Sequence, residues 1–292
     1  MGFLNALFGG RQLSPEEERQ EQEAKKFDLL KYDGVKAMNM GQADYAVRCF
    51  NEALKLHDDI EVHDYLSQVL LRQGELDAAV AELRTLAAAE PENAQIWTRL
   101  AQVAYMQEDY AAMGEACERA MTAEPDNAQA YFLSAQARLG GQDVVSAIAV
   151  LTKAIAMQAD YADAYLLRAQ TLLGMGDTAS ADADAQWLLA HVGNHEDVLL
   201  LKARIEAAKG NASEAISMYG RVVEVNPFCI EAFRERGQLK FDAGDKAGAE
   251  QDMQMVLELD PQQLADVSGE YSAEGIEQRV RQAYSAVNPL GL

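Results

Sequence analysis

One residue frame recurs along the chain and limits what it can fold into. It shows in "GQADYAVRCFNEALKLHDD" from Gly41, "GELDAAVAELRTLAAAEPE" from Gly74, "GNASEAISMYGRVVEVNPF" from Gly210 and "GDKAGAEQDMQMVLELDPQ" from Gly244. Each stretch opens on a turn glycine, with an alanine five residues on and a large apolar residue four further. A small or aliphatic residue follows three later, and three of the four stretches then show proline after five more. The same frame passes through Trp97, Tyr131 and Tyr165 at a period of 33 to 34 residues. Small residues at fixed spacing let two helices approach closely. A unit of this length cannot bury its apolar face alone, so consecutive units must stack into one continuous core. Proline cannot continue a helix and therefore separates the units.

Seven units carry the register. An aromatic or large residue stands at Leu30, His63, Trp97, Tyr131, Tyr165, Leu199 and Phe233. A small residue follows at Gly34, Ser67, Ala101, Ala135, Ala169, Ala203 and Gly237. The second helix contributes Ala46, Ala79, Met113, Ala147, Ala181, Ala215 and Ala249. Pro91, Pro125, Pro227 and Pro261 close four units, while Ala159 and Gly193 fill that slot in the fourth and fifth, which predicts looser or differently angled junctions there. The pattern resembles the tetratricopeptide repeat, W-x2-L-G-x2-Y, then A-x3-F, then P. The resemblance implies an all-α fold, a right-handed superhelical solenoid of stacked helix–turn–helix repeats.

The expected organisation has three parts: residues 1–26 form an apolar segment and a polar leading helix, 27–262 the seven repeats, and 263–292 a linker, capping helix and tail. Ser14-Pro15-Glu16-Glu17 is a helix start with an N-cap serine, proline at the first helical position and a glutamate completing a capping box. Ile276, Val280, Ala283 and Val287 mark one face of a last helix, the polar-backed cap that a solenoid's open end requires.

Five glutamines and one arginine recur on the first helices of the second to seventh repeats, five residues after the aromatic position, where the first repeat has Val35. Gln68, Gln102, Gln136, Gln170, Arg204 and Gln238 follow one another every 34 residues. The family resemblance implies that first helices line a concave groove and that this position points into it. A glutamine amide both donates and accepts, so it can pair with a peptide's C=O and N–H together. Packed helices lie about 8–10 Å apart and an extended peptide rises about 3.3 Å per residue, so one amide meets every third ligand residue. Against this stands the reading that a solvated groove tolerates glutamine as a good helix former. Tyr105, Phe132, Leu139, Leu166, Leu173 and Leu200 fall beside the amides and make the groove apolar at its middle, or pack against neighbouring repeats. The groove charges are Asp28, Glu61, Asp64, Asp163, Asp197, Glu231 and Asp242 against Lys31, Arg72, Arg204 and Arg234. Arg204 either anchors a ligand carboxylate or pairs with an acid of its own chain such as Asp197 or Glu231. Family members that grip a partner's terminal carboxylate use a lysine and asparagine clamp. Here Lys31 is present, but Val35 replaces the asparagine, so the clamp is incomplete.

Composition removes other classes. With 47 acidic and 25 basic residues the net charge is −22, and no basic face is available for phosphates. No stretch reaches the length of apolar sequence that spans a bilayer, so stable membrane insertion is not expected. "MGFLNALFGG" lacks the basic start of a signal peptide, and Ala6 stands where myristoylation needs Ser or Thr. Cys49, Cys117 and Cys229 are far apart and form no CxxC, which fits reduced thiols and a cytoplasmic setting. The histidines of "HVGNH", His191 and His195, fall at a repeat junction and do not make a metal motif. Neither phosphate loop, Rossmann fingerprint nor nucleophile elbow is present, so no cofactor and no catalysis are expected.

The sequence therefore predicts a non-catalytic scaffold binding an extended protein or peptide segment in a concave groove. The alternative is an assembly or tethering component. Phe3, Leu4, Leu7 and Phe8 share one face if residues 2–8 are helical, and could mediate homo-oligomer formation or docking, or pack over the first repeat.

Overall fold

The computed structural model describes residues 14–260, and among them every regular element is an α-helix. The apolar N-terminal segment and the proposed capping helix lie outside the described residues. The chain divides after Gln142 into two compact units. The first holds α1 (Pro15–Asn39), α2 (Ala43–Leu54), α3 (Ile60–Gln73), α4 (Leu76–Ala89), α5 (Ala94–Met106), α6 (Tyr110–Ala123) and α7 (Ala128–Gly140). The second holds α8 (Val144–Met157), α9 (Ala162–Gly174), α10 (Thr178–His191), α11 (Glu196–Ala208), α12 (Ala212–Val225), α13 (Ile230–Asp242) and α14 (Lys246–Leu259).

The repeat positions explain the packing within each unit. All seven small residues of the first helices are buried, as are all seven at the second-helix alanine position. At Gly34 the reason is direct: a Cβ there would lie 2.5 Å from Cε1 of Phe50, whose ring is fully buried in α2. One residue before the aromatic position, Val62 and Ile96 are 0% and 5% exposed because each faces the preceding repeat. Leu29 holds that place in the first repeat and is 59% exposed, since no earlier repeat stacks on it among the described residues.

Caps and turns set the helix limits. The Ser14 hydroxyl accepts from the Glu17 amide at 3.3 Å while the Glu17 carboxylate accepts from the Ser14 amide at 2.8 Å, closing the expected capping box. From there α1 runs unbroken through the first repeat's leading helix, so residues 15–26 and 27–39 are one element.

The junctions divide differently from the proline pattern. Gln158 leaves α8 with φ −128°, close to the −127° of Glu90 and −137° of Glu124, which precede prolines. Ala159 thus accepts the conformation that proline would enforce. Two junctions depart: α2 ends on Lys55, still helical at φ −71°, and after α10 Val192 stays helical at φ −98° while Gly193 turns left-handed at φ 83°.

In the second unit the place held by Leu66 and Leu100 in the first is cationic: Arg168, Lys202 and Arg236. These side chains pair with acids packed inside the repeats, Arg168 with Asp184 and Arg236 with Asp252 at 2.6 Å each. Lys202 meets Glu206 at 2.6 Å and also Asp182.

Candidate peptide-binding groove

The amide position splits between the units, with Gln68, Gln102 and Gln136 in the first and Gln170, Arg204 and Gln238 in the second. Two of these amides are engaged within their own helix. Gln68 donates to Asp64 at 2.8 Å, and Gln238 donates to both carboxylate oxygens of Asp242 at 3.0 Å. That leaves Gln238 Oε1 buried without a donor. Gln102 and Gln136 are half-buried and Gln170 is exposed, and none of the three has a side-chain hydrogen-bond partner among the described residues.

Arg204 is not a free anchor. Its Nε donates to Glu235 Oε2 at 2.9 Å and its Nη2 to Glu235 Oε1 at 2.6 Å. The Tyr219 hydroxyl donates to the same carboxylate at 2.6 Å, and burial together with Glu235 raises the Tyr219 pKa far above its ordinary value. The partner is therefore an acid of its own chain, but Glu235 rather than Asp197 or Glu231. Glu235 sits on α13, the first helix of the next repeat, where it faces Arg204 across the repeat boundary. Both acids named from sequence lie nearer the helix starts and stay exposed.

In the first unit Lys31 and Arg99 are similarly occupied, while Arg72 forms no ion pair among the described residues. Lys31 binds Glu61 at 2.6 Å and Asp59 at 3.1 Å, and Arg99 pairs with Asp64. Lys31 is thus committed to two carboxylates of its own chain.

A cleft of about 440 Å³ opens between α9 and α11 in the second unit. Its walls include Gln170, Leu173, Leu200, Leu201, Arg204 and Asp197. Leu166 and Leu173 pack on one core cluster and Leu200 on the next, and Leu173 and Leu200 also line the cleft. Phe132 and Leu139 are half-buried on α7, and Tyr105 is 46% exposed at the end of α5. Sequence reasoning missed Leu201, Thr178 and the Glu235–Tyr219 pair behind Arg204. Glu235 lies one helical turn short of the 34-residue spacing, the only signal that could have found it.

The histidine pair of the α10–α11 junction faces no common site. His191 stacks on Trp187 at 4.2 Å, and Trp187 stacks on Tyr165 at 3.9 Å, whereas His195 Nδ1 lies 3.6 Å from Asp197. The three cysteines are buried, and burial pushes the Cys117 thiol up to about 12. A protonated thiol is a poor nucleophile.

The profile of the Tetratricopeptide repeat matches residues 66–128, 166–219 and 200–263, together more than half of the chain. The chain belongs to the tetratricopeptide repeat family. Solved structures of similar fold include a tetratricopeptide repeat protein from Parabacteroides merdae, at 14% identity and TM-score 0.65, covering 88% of this chain and 98% of that one. PilF of Pseudomonas aeruginosa is 18% identical with TM-score 0.56, covering 70% and 94%. YrrB, described as a tetratricopeptide protein with an unusual peptide-binding site, is 16% identical with TM-score 0.52, covering 61% and 92%. No curated protein matches the sequence. As a tetratricopeptide protein the chain is a scaffold for protein–protein interaction. None of its described helices is long and apolar enough to cross a membrane.

Proposed function

We propose that this protein binds an extended segment of a partner protein along the first helices of its repeats, without catalysis and in the cytoplasm. The observation that carries the reading is the state of the amides within each unit. In the first, Gln102 and Gln136 have no side-chain hydrogen-bond partner among the described residues, with the apolar Leu139 one turn from Gln136; in the second, Gln170 is likewise unpaired, with Leu166 and Leu173 on the same helix. Such amides bind backbone, and the leucines take up apolar side chains of the ligand. The partner is a protein or peptide and not a nucleic acid, given the net charge of −22.

The test compares proteins retained from native lysate by the wild type and by Gln102→Ala/Gln136→Ala/Gln170→Ala, after circular dichroism shows the variant folded. The expected result is a partner retained by the first and lost by the second. If every partner stays, the glutamines are solvated surface. The alternative, assembly through the termini, predicts that deleting residues 1–10 changes oligomeric state while the glutamine variant does not.

A further inference from the structure

We infer that the α9–α11 cleft takes a basic segment of its partner, one with cationic side chains at every third residue and apolar side chains between them. This rests on the groove reading above and adds the chemistry of the ligand. The cleft supplies the apolar half: Leu173, Leu200 and Leu201 form its wall, and no described side chain fills its volume of about 440 Å³.

Charge decides the other half. The one cation in the wall, Arg204, is already neutralised by Glu235, which takes two of its donors and a third bond from Tyr219. Asp197, in the same wall, has a side chain 58% exposed and only His195 nearby. Asp163 and Glu231 stand at the same register on α9 and α13, each the second residue of its helix and exposed. None of the three carboxylates forms an ion pair with a lysine or arginine among the described residues. Asp242 adds a fourth, and among the described groove cations of the second unit Arg234 on α13 is the one without an ion pair.

The first unit is different at this register. Glu61 is held by Lys31, and Gln95 and Gln129 occupy the next two places. The unneutralised acids are therefore particular to the second unit and are not a general consequence of starting a helix with a carboxylate. With repeats about 8–10 Å apart and an extended chain rising about 3.3 Å per residue, one ligand cation in three meets one acid per repeat. An acidic segment would place like charges together over the same wall.

The probe is a labelled nonapeptide with lysine at every third position and leucine and glycine between, set against the same peptide with glutamate for lysine. Binding to the full chain is read by fluorescence anisotropy. The lysine peptide should bind and the glutamate peptide should not. The variant Asp163→Asn/Asp197→Asn/Glu231→Gln should weaken the lysine peptide about tenfold, as the loss of three exposed ion pairs would. A control, Glu214→Gln/Glu224→Gln/Glu250→Gln, removes the same charge from exposed sites on second helices and should leave binding near the wild-type value.

Equal loss in both triple variants overturns the inference, because bulk charge then explains the binding. Binding of the glutamate peptide as tight as the lysine peptide also overturns it. If Leu173→Ala/Leu200→Ala, or the milder Gln170→Ala, weakens the lysine peptide while the acid variant does not, the groove reading stands and the basic ligand falls. If neither the leucine, the glutamine nor the acid variant changes binding, both fall together.

Discussion

Arg168 grips Asp184 through two parallel hydrogen bonds, Nε to Oδ2 at 2.8 Å and Nη2 to Oδ1 at 2.6 Å, inside the fifth repeat. The Asp184 side chain is 7% exposed. Arg236 and Asp252 repeat the arrangement two repeats later, with Lys240 adding a contact of 2.9 Å. A buried carboxylate with its partner removed keeps its desolvation cost and loses the compensation. Arg168→Leu should therefore destabilise the protein by about 3 kcal/mol, whereas Arg168→Leu/Asp184→Leu should lose far less. Urea unfolding of the two variants measures this. Equal losses would show that packing, not ionic pairing, dominates at this position.

The first repeat gives a steric counterpart. Gly34→Ala pushes a methyl group to within 2.5 Å of the buried Phe50 ring. Overpacking of this kind costs about 1–3 kcal/mol. The companion Gly34→Ala/Phe50→Leu, which makes room beside the new methyl, should recover part of the loss in thermal unfolding. Failure of the double variant to recover anything would place the cost in the backbone instead.

Turns inside the repeats offer a gain. Five of them pass through a left-handed glycine, such as Gly176 at φ 82° and Gly210 at φ 81°, but Glu108 and Gln142 hold the same place at φ 57° and 63°. A residue with a Cβ pays about 1 kcal/mol or more for this conformation, partly offset by the greater flexibility of unfolded glycine. Glu108→Gly and Gln142→Gly should each raise stability by about 0.5–1 kcal/mol. A lower melting temperature in either would contradict the strain argument.

The same comparison shows what could be read from the chain and what could not. The small residues at Gly34, Ala101 and Ala203 and the alanines at Ala46 and Ala249 recur in register, so periodicity alone placed them between helices. The sequence does not pair Arg168 with Asp184, because each lies on a different helix and their pairing depends on how two faces meet. Arg204 was legible as an outlier in the amide series, yet its partner was not, since exposed Asp197 and buried Glu235 are equally acidic on paper. Gln170 and Leu173 came from the spacing, but the cleft between them and Leu200 required coordinates. Ala159 misled in the opposite direction: proline favours its junction without being needed for it.

His63 connects the fold to pH. It holds the large-residue position of the second repeat, with Nε2 2.7 Å from Asp58 Oδ1 and Nδ1 against Glu82 Oε2. A neutral imidazole has one N–H and satisfies one of these acceptors, while the imidazolium satisfies both. Burial opposes the charge, but hydrogen bonds to Glu82 and Asp58 outweigh it, so the folded protein holds this proton more tightly than the ordinary value allows. The resulting stabilisation is fully present below the unfolded pKa of about 6.5 and is lost as pH rises through the higher folded value. His63→Tyr, which installs the residue found at Tyr131 and Tyr165, removes this dependence. From pH 6 to pH 8.5 the wild type should lose more unfolding free energy than the variant, because only the wild type carries the raised folded pKa. Parallel pH profiles for the two proteins would mean that folding does not raise the His63 pKa.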